Sequence, residues 1–511
     1  MKHETIEQRP GVSVPSLKFF GRDLTASIVV FLVAMPLCMG IAVASGVAPE
    51  KGLITGIIGG IVVGALAGSP LQVSGPAAGL AVIVFELVRD QGLSALGPIL
   101  ILAGAIQVVA GIFRLGGWFR AISPAVVHGM LAGIGVLIVV GQFHVLFDAK
   151  PLSSGPENLA AMPGRLLGLS ASNIEATELA FMLALVTIAG MLGWEKFRPA
   201  ALKLLPGALI GVLAATFLSL ALGLDVAKVS VPDSIFAAVT PPEAGFLARM
   251  ADPAVIAAAL AIAFIASAET LLSAAAVDKM HDGVRTDYNK ELRAQGVGNL
   301  LCGFAGSLPM TGVIVRSSAN VQAGAITRAS AMLHGIWILG FVALLPFVLL
   351  AIPMAALGAV LVVTGWRLVS LKHAKHLFRD YGMLPVIIWA ATLIMVVGTD
   401  LLTGVLVGIG LTVLELIPNL HRLRLKVFEA QEGGQHSIAL DGAATFVTLP
   451  KLSASLDRVP ANAAVRLDVS KLDAVDHTTA ELLRDWFQRR KASGRPVELH
   501  GSSDKFATLA A

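Results

Sequence analysis

Twelve apolar stretches follow one another along most of the chain: 23–44, 52–68, 93–113, 121–146, 177–193, 201–223, 252–276, 294–306, 326–349, 353–370, 382–398 and 400–417. Most reach the roughly 17 to 25 residues that a helix needs to cross the hydrocarbon of a bilayer. No single water-excluded core absorbs that many, so the chain reads as an α-helical polytopic membrane protein. In lipid the backbone must satisfy itself within helices or within a closed barrel. Here 52 glycines and long alanine runs, against two tyrosines, suit closely packed helices and not a barrel girdled by aromatics. With 56% hydrophobic and 14% charged residues, the chain shows no nucleophile–base constellation, metal motif or nucleotide loop, so an enzyme is not expected. The net charge of +4 follows loop topology and leaves no nucleic-acid footprint. Cys38 and Cys302 lie far apart in apolar segments and read as small packing residues.

Two further spans are short. One follows Ser69-Pro-Leu-Gln-Val-Ser-Gly-Pro-Ala-Ala78 and runs to about Val88; the other lies within Gly306–Gly324 and carries Arg316. Pro309 and Gly312 rule out a continuous helix there, so an extended Ser307–Met310 should lead into a half-helix starting near Thr311, capped by that hydroxyl. A charge at bilayer depth costs about 2.5 to 3.5 kcal/mol on insertion scales, so Arg316 is expected to face a cavity or a partner. Beside a half-helix N-terminus, with its free N–H groups and positive dipole end, the arrangement reads as an anion site. The plainer alternative is an arginine paired with a carboxylate for packing alone.

With these two the spans number fourteen, and the short ones are the third and the tenth. They stand seven apart, an odd number, so two seven-span halves must be inserted in opposite directions, as in inverted-repeat transporters whose site lies between the half-helices. The charges fit one orientation. With the N-terminus inside, the cytoplasmic segments carry twenty-one lysines and arginines and the other side six, namely Lys51, Arg89, Lys150, Arg165, Lys228 and Arg249. Residues 1–21 form a polar cytoplasmic lead-in, 22–418 the membrane domain, 419–434 a linker, and 435–511 a small α/β unit. In that unit His436–Leu440, Ala444–Leu449, Ala464–Val469 and Pro496–Leu499 read as strands, and Thr478–Arg490 as an amphipathic helix.

A fourteen-span region followed by such a unit, with Leu467-Asp-Val-Ser-Lys-Leu-Asp-Ala-Val-Asp-His-Thr-Thr-Ala-Glu-Leu-Leu483, resembles the SulP anion-transporter family and its C-terminal STAS domain. The loop at Asp476-His477-Thr478 resembles the STAS signature, with histidine in place of its serine and Ala480 in place of its glycine. It implies an assembly or regulatory appendage, with phosphorylation at Thr478 as the alternative. Pro309-Met-Thr-Gly-Val-Ile-Val-Arg316 is similar to the family's tenth span, Ser74-Gly-Pro-Ala-Ala78 to its third, and Ala266-Ser-Ala-Glu-Thr-Leu-Leu-Ser273 to its eighth. The resemblance implies a core domain (spans 1–4 and 8–11) rocking against a gate domain (5–7 and 12–14), a homodimer, and an anion held between spans 3 and 10 with Glu269 beside it.

On that reading the substrate-binding residues are Ser74, Gly75, Ala77, Ala78, Thr311, Gly312, Val313 and Arg316. Ala77, Ala78, Gly312 and Val313 would offer backbone N–H groups, and Ser74 and Thr311 hydroxyls. Glu269, deep in an apolar span with Ser267, Thr270 and Ser273 nearby, must be protonated, paired or bound to a cation. Protonation gives proton symport; a cation held with Ser273 gives sodium symport; a lock to Arg316 leaves a channel or exchanger. In the family's sodium-coupled bicarbonate branch an aspartate is expected at Glu269. Glu86, near the end of the third span, reads as a charge reaching for the interface. The expected function is symport of a small oxyanion such as bicarbonate or sulfate, or of a dicarboxylate, coupled to H+ or Na+ in a bacterial inner membrane with both termini cytoplasmic and no other cofactor. A nucleobase–proton symporter is the remoter reading.

Overall fold

The computed structural model describes residues 19–501 except 120–122, 153, 169–173, 231–234, 236, 282, 416–423, 433–434, 461–462, 493 and 495–496. The expected lead-in falls almost wholly outside these. In chain order the apolar part runs α1 (Phe20–Ala44), α2 (Pro49–Leu66), β1 (Ser74–Pro76), α3 (Ala78–Gln91), α4 (Leu93–Ile112), α5 (Pro124–Val145), α6 (Ile174–Phe197), α7 (Gly207–Ala221), α8 (Pro253–Asp278) and α9 (Tyr288–Ala305). It continues through β2 (Met310–Gly312), α10 (Ile314–Gln322), α11 (Ala329–Leu344), α12 (Met354–Leu368), α13 (Met383–Gly398) and α14 (Leu401–Glu415). Among the described residues seven helices are long and apolar enough to cross a membrane: α1, α2, α4, α5, α6, α8 and the run Met354–Tyr381 that includes α12; α7, α11, α13 and α14 are shorter apolar helices.

Small residues set how these helices pack. Gly104 and Gly296 bring α4 and α9 into backbone contact, and Gly190 and Gly211 do so for α6 and α7. The helices fall into two sets by packing. α1 lies on α2 and α11, and α4 on α8 and α9; in the other set α5 lies on α12, α13 and α14, and α6 on α7. A turn of π-helix at Gly59–Val63 widens α2 where it passes the site, with Gly59 against the Ser74 carbonyl and Gly60 against His334 and Gly335 of α11. Lys51, counted above as an outer-loop charge, is buried and donates to the Ala238 carbonyl at 2.8 Å and to Thr240 Oγ1 at 2.7 Å.

The C-terminal unit is a four-stranded sheet in the order β3 (Leu425–Glu432), β4 (Gln435–Ala444), β5 (Ala464–Val475), β6 (Val497–His500), with α15 (Leu449–Arg458) and α16 (His477–Ala492). The first pair is antiparallel and the other two parallel. Ile438, Leu440, Leu467, Leu483 and Trp486 build its core. Two expectations are corrected. β3 occupies much of what was taken as linker 419–434, its pattern masked by interleaved Lys426, Glu429 and Glu432; and Ala444–Leu449 is the turn that ends β4 and starts α15, because Pro450 in the helix's first turn favours helix entry over a strand. Asp476 caps α16 by accepting from Thr479 N at 2.8 Å and also accepts from Phe446 N at 2.6 Å. Thr478 is buried behind that cap, so its hydroxyl is closed to a kinase in this conformation.

α16 also meets both helix sets. Asp485 pairs with Lys279 at the end of α8; Arg484 donates to Asp380 Oδ2 at 2.5 Å and lies over the Tyr381 ring, on the amphipathic helix Leu371–Tyr381 that leads into α13.

Candidate functional site

The two interrupted segments meet. β1 and β2 pair antiparallel in the register Ser74↔Gly312, Gly75↔Thr311 and Pro76↔Met310, so the helices leaving them, α3 and α10, start at one ribbon and run apart. Their N-cap residues have nearly the same backbone: Ala77 at φ −103°, ψ 130° and Val313 at φ −103°, ψ 116°. Neither cap uses a side chain. Leu80 N donates to the Ala77 carbonyl at 3.2 Å, and the other first-turn amides of the two helices precede any carbonyl of their own helix that they could bond, which leaves two positive dipole ends beside the ribbon.

Thr311 is therefore not the cap. Proline at 309 and the pairing with β1 keep residues 310–312 extended, and α10 begins at Ile314, three residues later than expected. Two amides expected to face a ligand are already used: Gly312 N donates to Thr270 Oγ1 at 3.0 Å and Val313 N to the Val73 carbonyl at 2.9 Å. Ser74 Oγ is turned to α9, accepting from Gln295 Nε2 at 2.6 Å. What remains at the ribbon is the Thr311 hydroxyl, buried and without a partner among the described residues, and the helix starts at Ala77–Ala78 and Ile314–Val315.

Arg316, on the first turn of α10, is wholly buried, and its Nε, Nη1 and Nη2 have no hydrogen-bond partner among the described residues. Its guanidinium lies over Gly75, where an added Cβ would come within 2.1 Å of Nη1; Cys38 of α1 and His334 of α11 are neighbours. Glu269 takes the matching place on α3: its carboxylate packs on Gly79, a Cβ there standing 2.9 Å from Oε2, which has no partner. No ion pair joins Arg316 and Glu269 among the described residues, so the packing-lock reading fails. Ser267 and Thr270 do not gather around Glu269. Ser267 Oγ donates to the Ala263 carbonyl at 2.6 Å, and Thr270 Oγ1 receives the Gly312 amide. Ser273 is buried one turn on.

The composition of α9 gave no warning of its part. Glu291, Gln295 and Asn299, spaced four apart and fully buried, form a polar stripe that grips both strands. Glu291 accepts from Ser69 N at 2.9 Å, and Gln295 bonds Ser74 and Glu291. Asn299 takes both backbone groups of Met310, accepting its N–H at 2.8 Å and donating to its carbonyl at 3.2 Å, and also donates to Gln107 Oε1 at 2.8 Å. Gln295 and Asn299 within the stretch read as a span, with Glu291 just before it at the same spacing of four, were the available signal. A cavity of about 50 Å³ opens beside α3, lined by Ala44, Ala81, Val82, Phe85, Glu86, Leu137, Ile138, Gly141, Gln142, Pro151, Leu152, Ser154, Gly155 and Asn158. It lies along α3 beyond the ribbon and does not include Arg316.

An apolar helical bundle with two broken helices meeting through paired strands, and an unpaired buried arginine between them, is an integral membrane protein of the broken-helix kind. Residues 20–392 match the sulfate permease family and 427–511 the Mlab STAS domain, and the chain belongs to the sulfate permease family. The putative sulfate transporter YvdB of Bacillus subtilis (strain 168) is 32% identical over 77% of this chain and 73% of its own length. The bicarbonate transporter BicA of Picosynechococcus sp. is 24% identical over 76% and 68%. Among solved structures, the transmembrane domain of a cyanobacterial BicA aligns with a TM-score of 0.66 at 21% identity, covering 76% of this chain and 98% of that one; SLC26A9 aligns at 0.69 and 16%, covering 97% and 87%. These likenesses show the fold. The family is one of transporters, and the chain is not an enzyme.

Proposed function

We propose that the chain is a secondary active transporter of small inorganic anions, bicarbonate or sulfate before a dicarboxylate, driven by a co-transported cation. The observation that carries this is Arg316: a buried guanidinium with three unpartnered nitrogens, facing a residue with no side chain, is a charge that an arriving anion completes. The first-turn amides of α3 and α10 and the Thr311 hydroxyl supply donors without a second full charge. A neutral nucleobase needs no such residue.

Glu269 is the coupling group in this reading. A proton suits it better than sodium, because sodium requires several converging oxygens and Ser267 and Thr270 point elsewhere. Twelve of the fourteen helices cross the bilayer and α3 and α10 each run only part of the way from the ribbon, both termini face the cytoplasm by the lysine and arginine balance, the inner membrane of a bacterium is the location, and two copies form a homodimer. Transport exchanges the site between the two sides as the α1–α4, α8–α11 set moves against the α5–α7, α12–α14 set.

The test is uptake of labelled bicarbonate, sulfate and fumarate into proteoliposomes under imposed proton or sodium gradients. Gradient-driven uptake that disappears in Arg316→Ala, and loses its gradient response in Glu269→Gln, is the expected result. Uptake indifferent to both gradients but responsive to voltage or to anion on the far side would replace this reading with a channel or exchanger.

A further inference from the structure

The cavity beside α3 is mostly apolar and carries two side chains with unpartnered oxygens. Glu86 is half-buried in it and has no hydrogen-bond partner among the described residues; Gln142 of α5, 2% exposed, also lines it and has a side-chain carbonyl that is likewise unpartnered among them. These two oxygens, one of them a carboxylate's, are ligands that suit a cation. The surroundings agree in sign. Asp400, before α14, and Asp90 lie close enough to act on Glu86, and Glu157 lies on the neighbouring surface helix Gly155–Leu166. Arg89 is turned to Asp90 at 2.6 Å. Of the other elements packed there, α1 contributes only Ala44, and the next polar group on α5, His144, is bonded to the Asn158 carbonyl.

Position supplies the second half. Gly79, Val82 and Glu86 fall at i, i+3 and i+7 on α3, one stripe of the helix. Gly79 holds the Glu269 carboxylate and Glu86 stands two turns further on, about 10 Å along the axis. We infer that Glu86 and the Gln142 carbonyl form an outer loading station for a monovalent cation, which passes along this stripe to Glu269. For a proton, the Glu86 carboxylate accepts it from an external hydronium ion and releases it to the Glu269 carboxylate, leaving Glu86 ready to reload; for sodium, the ion leaves one oxygen pair for the other. The inference rests on the cation-coupled reading above.

The experiment is initial uptake by full-chain proteoliposomes, wild type and Glu86→Gln, with external pH varied without sodium and then sodium varied at fixed pH. Glu86→Gln is expected to need about tenfold more of the coupling cation for half-maximal uptake, while the half-saturating anion concentration moves less than about twofold. The arm in which the shift appears names the ion. An unchanged cation dependence, or an equal shift in anion dependence, overturns the inference. If wild-type uptake ignores both gradients, the coupled reading itself has failed, and this station with it. Should Glu86→Gln transport nothing, labelled-anion binding to the solubilised variant decides: binding that persists but no longer responds to the cation supports the station, and loss of binding overturns it.

Discussion

Gly75 and Gly79 each hold a charged group by having no side chain of their own. A methyl at 75 meets Nη1, the far end of a flexible arginine, so the chain can accommodate it by moving the guanidinium. Gly75→Ala should therefore leave the melting temperature close to wild type and lower uptake by tenfold or more, about 1.4 kcal/mol lost at the site. A melting temperature that fell as far as the uptake would show a packing role only. The charged residues of the site, Arg316 and Glu269, were legible because charge is rare at bilayer depth. The roles of Thr311, Gly312 and Val313 were not, since they depend on a strand partner more than two hundred residues away and on Thr270, which local pattern does not reveal.

α9 does for the ribbon what a third strand would do. Asn299 satisfies both backbone groups of Met310, so Asn299→Leu orphans a buried N–H and a buried carbonyl, at about 1 to 3 kcal/mol each. The expected outcome is a clearly lower melting temperature in detergent together with reduced maximal uptake. Asn299→Asp, which keeps the acceptor for Met310 N, should recover part of both. Equal losses in the two variants would mean that the carbonyl contact matters more than the amide. The breaks themselves could be read from Pro76, Pro309 and the glycines. The start of α10 could not, because pairing with β1 extends β2 through Gly312 and delays the first turn.

Across the whole molecule, helical membrane architecture and the small α/β unit followed from apolar run length and from a composition change near Pro418. β3 stayed hidden because this edge strand in water carries charge on both faces, at Lys426 and Glu429, which breaks the alternation. The contact between that unit and the helices was not legible at all, since it joins charges more than a hundred residues apart, Lys279 with Asp485 and Asp380 with Arg484. Lys279–Asp485 is partly exposed, and such pairs are worth up to about 1 kcal/mol. Lys279→Ala with Asp380→Ala should thus change uptake by no more than about fivefold, with the difference shrinking as salt is raised, and should speed hydrogen exchange in α16. Exchange in α16 that stayed at the wild-type rate would mean the unit is held elsewhere. Because α16 touches the end of α8 and the helix leading into α13, any displacement between those two is felt at Asp485 and Arg484. Reciprocity of binding free energies then makes the small unit a gauge as well as a handle: a molecule that prefers the polar face of α16 in one arrangement of the helices binds with an affinity that reports that arrangement, and stabilises it by the same amount.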